Sequence, residues 1–396
     1  MTIVTSKQHI VDEDLLDRVR SVLATTVEEV TPARVAAALR SAGATLGDAA
    51  LLEVTDTLRA EISGTGPLEP LLHQPGVTDV LVNGPNNVWV DCGSGPERTP
   101  VRFRDAHAVR RLAQRLASAA GRRLDDAVPF VDARMSSGVR VHAVLPPVAP
   151  DGPLISLRVP ARRAFGLTDL VEQGSVPERL VPWLTALVRA RLAFIVSGSA
   201  GCGKTTVLGA LLALADPQER IVLIEDSGEL RPDHPHVVRL ESRAANVEGT
   251  GHVGLDDLVR QALRMRPDRI VVGEVRGAEM VDLLAALNTG HEGGCGTLHA
   301  NSTDDVPARL EALGIAAGMR RDAVHAQACA ALDLVIHLVR ERSGPRRLAA
   351  VDVVSRDAGG WLETCRAFRV DGDGRLCEGP GRPILAERLR QRGWCP

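Results

Sequence analysis

The sequence predicts an α/β chain in which a doubly wound, mostly parallel sheet covered by helices follows a smaller α+β domain and an N-terminal helical appendage. Three observations predict it. From Phe194 to Ala300, continuous apolar β runs alternate with helical patterns, which is how strands buried on both faces read. One of those runs, Phe194-Ile195-Val196, enters a glycine-rich loop and leaves it as a helix-forming run, Val207 to Leu214. At Gly64 the texture changes to short β runs separated by turn residues such as Asn83-Gly84-Pro85-Asn86-Asn87.

Taken in order, residues 1–62 form the appendage. Apolar residues at three-to-four spacing predict helices from Glu13 to Ala24, Pro32 to Ser41 and Asp48 to Ile62, with carboxylates in excess over basic residues. Such a segment is a solvated extension or a docking element for a partner. Residues 63–160 form the α+β domain. It holds two β runs in VTDVLVNGPNNVWVDCG, a short run around Arg102 and Phe103, an amphipathic helix from Ala106 to Ala120, and β runs in PFVDARMSSGVRVHAVLPP and LISLRVP. Arg134, Arg140 and Arg158 lie in or beside these runs, where each alone reads as a surface strand arginine.

Residues 161–174 read as a linker with a Phe165-Gly166 break, and residues 175–396 as the main domain. Ser175 and Glu178 have capping-box spacing ahead of a helical stretch that reaches Arg191, with Pro182 imposing a late start or a kink. Past the glycine loop, β runs are expected at 221–225, 237–240, 269–274 and 296–300. Helices are expected from Leu255 to Met265, Ala278 to Leu287, Asp304 to Leu313 and Arg321 to Leu332. The last runs, DLVIHLV, RLAAVDVV and WLETCRAFRV, have hairpin-like separations and predict an antiparallel addition.

Composition sets limits on function. The 396 residues, 44% hydrophobic, can bury a large core, and no run approaches the roughly eighteen apolar residues of a membrane span. The N-terminus lacks an apolar signal core, so the expected location is the cytoplasm, peripheral to any membrane. A net charge of −3 with 2% aromatic residues gives no electrostatic footprint and few stacking platforms for nucleic acid. Seven cysteines without C-x-x-C spacing indicate neither a zinc site nor a disulfide framework. Of the 47 basic residues only Lys7 and Lys204 are lysines, and Lys204 stands in the glycine loop.

That loop is Gly198-Ser199-Ala200-Gly201-Cys202-Gly203-Lys204-Thr205-Thr206. Glycines let successive N–H groups converge on a phosphate at a helix N-terminus, where the dipole favours an anion. Lys204 would reach the β- and γ-phosphates, and the Thr205 hydroxyl would hold Mg²⁺. Cys202 reads as a spectator, because positions between the glycines act through backbone. In a doubly wound sheet ligands sit outside the carboxyl ends of the strands. Three such ends carry Glu225-Asp226-Ser227-Gly228-Glu229, Gly273-Glu274-Val275-Arg276, and His291 with His299. Hydrolysis of a γ-phosphate needs a carboxylate for water, one near the metal, and cations for developing charge. Clustered on strand ends beside this loop, these residues supply each part.

The ordered set GSAGCGKTT, IEDSGEL, RMRPDRIVVGEVR and TGHEGGCGTLHANS resembles the type II/type IV secretion ATPase superfamily. Within it, PLEPLL, VTDVLVNGP and PFVDARMSSGVRVHAVLPP look like the N-terminal domain of the tight-adherence (Flp) pilus assembly ATPases of the TadA/CpaF type. The resemblance spans about residues 64–340. It implies a RecA-like P-loop ATPase domain using ATP and Mg²⁺. It also implies Glu229 as the acidic-box residue that activates water, Glu274 as the Walker B glutamate near the metal with Arg276 just beyond it, and His291 and His299 as γ-phosphate sensors. Arg134 and Arg140 would be charge stabilisers brought by the N-terminal domain, from the same or an adjacent subunit. A homo-hexameric ring, docking on an integral membrane platform protein and serving a pilin or secreted protein, is the implied assembly. Two other readings stand beside it: a DNA-transfer translocase, and a nucleotide-binding scaffold without hydrolysis.

Overall fold

The computed structural model describes residues 31–44 and 64–395, apart from residues 94, 161–163, 244, 246–249 and 341–345, together with Val19, Val22, Gly47, Leu51, Val54 and Thr55. The helices expected from Glu13 to Ala24 and from Asp48 to Ile62 therefore lie almost wholly outside the described residues. The chain divides into two compact units, residues 1–161 and 162–396.

In the first unit, helix α1 (Pro32–Ser41) starts where Thr31 accepts a hydrogen bond from the Arg34 amide (3.4 Å), and Pro32 occupies the turn in which its missing N–H costs nothing. A short helix α2 (Glu69–Leu72) precedes a six-stranded antiparallel sheet of order β3-β2-β1-β6-β5-β4. Its strands are β1 (Asp79–Asn83), β2 (Val88–Asp91), β3 (Pro96–Arg98), β4 (Phe130–Arg134), β5 (Arg140–Val144) and β6 (Leu154–Arg158). Strand alternation sends Val80, Val82, Val141, Ala143, Ile155 and Leu157 to one face. Helix α3 (Ala106–Ala119), capped by Asp105 at the Ala108 amide (2.7 Å), covers that face with Val109, Leu112, Ala113 and Leu116. The expected β run at Arg102 and Phe103 is not a strand. Pro100 cannot donate to a ladder, and Phe103 instead drops its ring into the core while its amide bonds the Pro85 carbonyl at 2.8 Å.

The second unit is built on a nine-stranded sheet of order β15-β14-β13-β12-β7-β11-β10-β8-β9. Strands β7 (Phe194–Gly198), β8 (Ile221–Glu225), β9 (Val237–Glu241), β10 (Arg269–Val275), β11 (Cys295–Leu298) and β12 (Leu334–Arg340) run parallel. Strands β13 (Arg346–Arg356), β14 (Leu362–Val370) and β15 (Leu376–Glu378) extend it antiparallel, as the hairpin separations predict. Successive residues of one strand feed opposite cores: Ile221 and Leu223 one, Val222 and Ile224 the other. That is why these strands read as continuous apolar runs.

Helices α4 (Leu167–Glu172), α5 (Val181–Arg189), α6 (Lys204–Leu212) and α11 (Arg382–Gln391) close one core. Helices α7 (Leu255–Ala262), α8 (Glu279–Asn288), α9 (Val306–Ala316) and α10 (Arg321–Ala331) close the other. Within the stretch read as a linker, α4 is a packed element. The Gly166 amide donates to Asp169 Oδ2 (2.7 Å), and Leu167 and Leu170 are buried. Pro182 gives α5 its late start, after a 3₁₀ turn at Glu178–Leu180. Among the described residues no helix is long and apolar enough to cross a membrane.

Candidate nucleotide-binding and hydrolysis site

The carboxyl ends of β12, β7, β11, β10 and β8 stand side by side in that order, and the predicted loop leaves β7, the central strand of the nine. Gly198 ends β7, and Gly203 caps α6 from the left-handed region (φ +96°), a conformation that costs glycine little. Gly198 answers a different demand: a Cβ there would stand 2.5 Å from the Leu338 carbonyl oxygen and 2.6 Å from Cys202 Sγ. Ser199, Ala200 and Gly201 are exposed, whereas Cys202 is buried, and burial pushes its thiol pKa up. Thr205 and Thr206 occupy the first turn of α6, half-buried.

Lys204 is 8% exposed, and its Nζ donates to the carbonyls of Gly198 (3.1 Å) and Ser199 (2.9 Å). Burial pushes its pKa down, while the neighbouring Cys202 and Glu274 pull it up.

The acidic residues are positioned by β8 and β10. Glu225, at the end of β8, is buried, and its Oε1 accepts the amides of Glu229 (3.0 Å) and Leu230 (2.9 Å). Those bonds fold the segment after β8 back upon the strand and leave Glu229 exposed at the surface of the site. Burial raises the Glu225 pKa to about 7 against the two amide bonds. The neighbouring strand makes room with Gly273, where a Cβ would lie 2.7 Å from Glu225 Cγ.

Glu274 follows at once, half-buried, with Oε1 2.9 Å from His299 Nε2 at the end of β11. Burial and Lys204 lower the His299 pKa, opposed by Glu274. The contact places a proton on Nε2, donating to the carboxylate. Arg276 is turned onto Asp226, whose Oδ1 also accepts from Ser242 Oγ (2.8 Å). This ion pair ties the end of β10 to the end of β8.

The structure thus gathers Lys204, Thr205, Glu229, Glu274 and His299 at one set of strand ends. It does not bring His291 there. His291 precedes β11 and His299 follows it, so the strand holds them at opposite ends, and His291 Nδ1 lies 3.3 Å from the Ala286 carbonyl. Arg134 and Arg140 belong to the first unit, paired across β4 and β5, and the register continues from Arg140 to Arg158 on β6. Directly paired residues face the same side of a sheet, so the three arginines form one row on the face away from α3. Arg140 makes a two-pronged pair with Asp132 (3.0 and 2.5 Å), which lowers the Asp132 pKa. Sequence reasoning left Arg158 out of the site, because only the strand register aligns it with the other two.

Sequence reasoning also found no residue to receive a nucleoside. A cavity of about 60 Å³ adjoins the loop, lined by Phe165, Gln173, Thr206, Val207, Arg346 and Leu348 among others. Its walls come from α4, α6 and the β12–β13 hairpin, segments that no local pattern connects.

Mg²⁺ takes hard oxygen donors at few protein positions and completes its shell with water and phosphate. The Thr205 hydroxyl and Glu274 carboxylate are such donors. Among the described residues no cluster of three or more His, Cys, Asp or Glu forms a separate metal site.

Over residues 61–377 the chain matches the family described as type II/IV secretion system protein. It is 54% identical over 332 residues to a putative conjugal transfer protein of Mycobacterium tuberculosis, covering 82% of this chain and 94% of that protein. It is 32% identical over 322 residues to the type IV secretion system protein PtlH of Bordetella pertussis, covering 73% and 93%. The crystal structure of the pilus retraction motor PilT with bound ADP shares the fold, with a TM-score of 0.50 at 20% identity over 80% of this chain and 84% of that one. The chain belongs to the type II/IV secretion system protein family, with a RecA-like P-loop domain behind an α+β domain.

Proposed function

We propose that the chain is a Mg²⁺-dependent ATPase that works as a homo-hexameric ring. In this reading it docks peripherally on an integral platform protein at the inner face of the cytoplasmic membrane, and powers pilus assembly or protein secretion. The observation that carries the ATPase reading is the convergence of Lys204, Glu274 and His299, with Glu274 held 2.9 Å from His299 beside the phosphate loop. Loop amides and Lys204 bind the β- and γ-phosphates, and Thr205 and Glu274 hold the metal, which draws charge from the phosphates when bound. Glu229 takes the proton of the attacking water, and its backbone is fixed by Glu225. Arg134 and Arg140, from this subunit or an adjacent one, supply positive charge for the γ-phosphate.

Purified protein should hydrolyse ATP only with Mg²⁺. Glu229→Gln should lower turnover by about 10²-fold or more while ATP still binds, and Lys204→Ala should abolish tight binding. Full turnover in Glu229→Gln would sink the assignment. The relative at 54% identity, a putative conjugal transfer protein, supports a second reading as a DNA-transfer motor. That reading requires ATPase stimulation by DNA that weakens with salt, whereas the first requires turnover indifferent to DNA.

A further inference from the structure

The phosphate loop has two flanks, and Glu274 and His299 occupy one. In sheet order, β11 and β10 bring His299 and Glu274 to one side of β7, while β12 and β13 lie on the other. On this second side Arg340, the last residue of β12, pairs in register with Arg346, the first of β13. Both reach the loop. A Cβ on Gly201 would lie 3.7 Å from Arg340 Nη1, and one on Gly203 would lie 3.4 Å from Arg346 Cδ. Arg346 also lines the cavity beside Thr206 and Val207.

Like charges directly opposite on neighbouring strands oppose pairing, and here they stand beside the positive end of α6 and Lys204. The loop and the N-terminus of α6 can wrap a polyanion, and both arginine side chains lie beside its path. The order of groups fixes which part. The γ-phosphate belongs beside Glu274 and His299, so the chain of phosphates leaves the loop toward the hairpin and the cavity.

We propose that Arg340 and Arg346 grip the α- and β-phosphates of the bound nucleotide within the same subunit. Resting on the ATPase reading above, this makes the β12–β13 hairpin the element that sets affinity for ADP and ATP alike, while the opposite flank acts on the γ-phosphate alone. A guanidinium fork suits this task because it pairs with two phosphate oxygens at once.

The test is displacement of a fluorescent ADP analogue by unlabelled ADP, with steady-state ATPase measured alongside, on the full chain and on Arg340→Ala, Arg346→Ala, Arg346→Lys and Lys204→Ala. ADP affinity should fall about ten- to hundredfold in each alanine variant of the hairpin, the worth of a hydrogen bond to a charged group. It should fall less in Arg346→Lys, and kcat at saturating ATP should change by no more than about twofold. KM thus moves and kcat does not, a split that general loosening of the fold would not give. Should Arg346→Ala not fold, Arg346→Lys carries the test, because it keeps the charge and removes the fork. Unchanged ADP affinity in the folded hairpin variants, with affinity lost in Lys204→Ala, overturns the hairpin assignment. Unchanged affinity in Lys204→Ala as well overturns the phosphate-loop reading instead.

Discussion

Glu274 Oε1 and His299 Nε2 stand 2.9 Å apart, joining the carboxyl ends of β10 and β11 at the edge of the phosphate loop. The contact lets the histidine orient the carboxylate assigned to the metal.

Replacing His299 by Ala should therefore lower kcat about ten- to hundredfold, the effect of a lost hydrogen bond to a charged group. His291→Ala, at the far end of the same strand, should cost at least tenfold less. Because burial and Lys204 hold the His299 pKa below the ordinary range, wild-type turnover should stay level through that range and fall only in more acid solution. Steady-state ATPase rates of both variants across pH check this; equal losses would place His291 at the site.

Glu225 gives a prediction about stability. Its folded pKa of about 7 lies above the ordinary 4.5, so the native state binds the extra proton between those values. Its contribution is present in full below pH 4.5 and is lost as pH rises through 7, roughly 3 kcal/mol at most for a shift of this size. Glu225→Gln keeps an oxygen for the amides of Glu229 and Leu230 and removes the titration. Denaturant unfolding at several pH values should show the variant gaining on the wild type as pH rises from 5 to 8, and parallel curves would refute it.

Two glycines near the loop should respond oppositely to alanine. At Gly198 the new Cβ meets the Leu338 carbonyl and Cys202 Sγ, so Gly198→Ala should cost about 2 kcal/mol or more and disturb ATP binding. Gly209 sits inside α6, where an added Cβ would meet Leu230 Cδ2 only at 4.0 Å. There Gly209→Ala should add about 0.5–1 kcal/mol and raise the melting temperature by a few degrees. Thermal melts distinguish the two, and a stabilised Gly198→Ala would contradict the close approach described.

Whatever rests on neighbouring residues was legible in the sequence. The strand, loop and helix around Lys204, the continuous apolar strands and the closing hairpins each follow from local spacing, and each is present. What depends on register or long-range packing was not. Arg158 aligns with Arg134 and Arg140 only through β5. Phe165 and Arg346 line one cavity only because α4 and the hairpin close on α6. Helix α11 escapes a pattern search because only Leu385 and Leu389 are buried among its arginines. His291 came from the resemblance alone, and β11, already expected between the two histidines, sets it at the far end from His299.

Strand β12 is bonded to β7 from Leu334 opposite Phe194 to Leu338 opposite Gly198, and along its other edge to β13. The phosphate loop thus begins at the last rung of a ladder shared with the antiparallel extension. A pull on that extension along the strands loads these bonds together, in shear, the direction in which a ladder yields least.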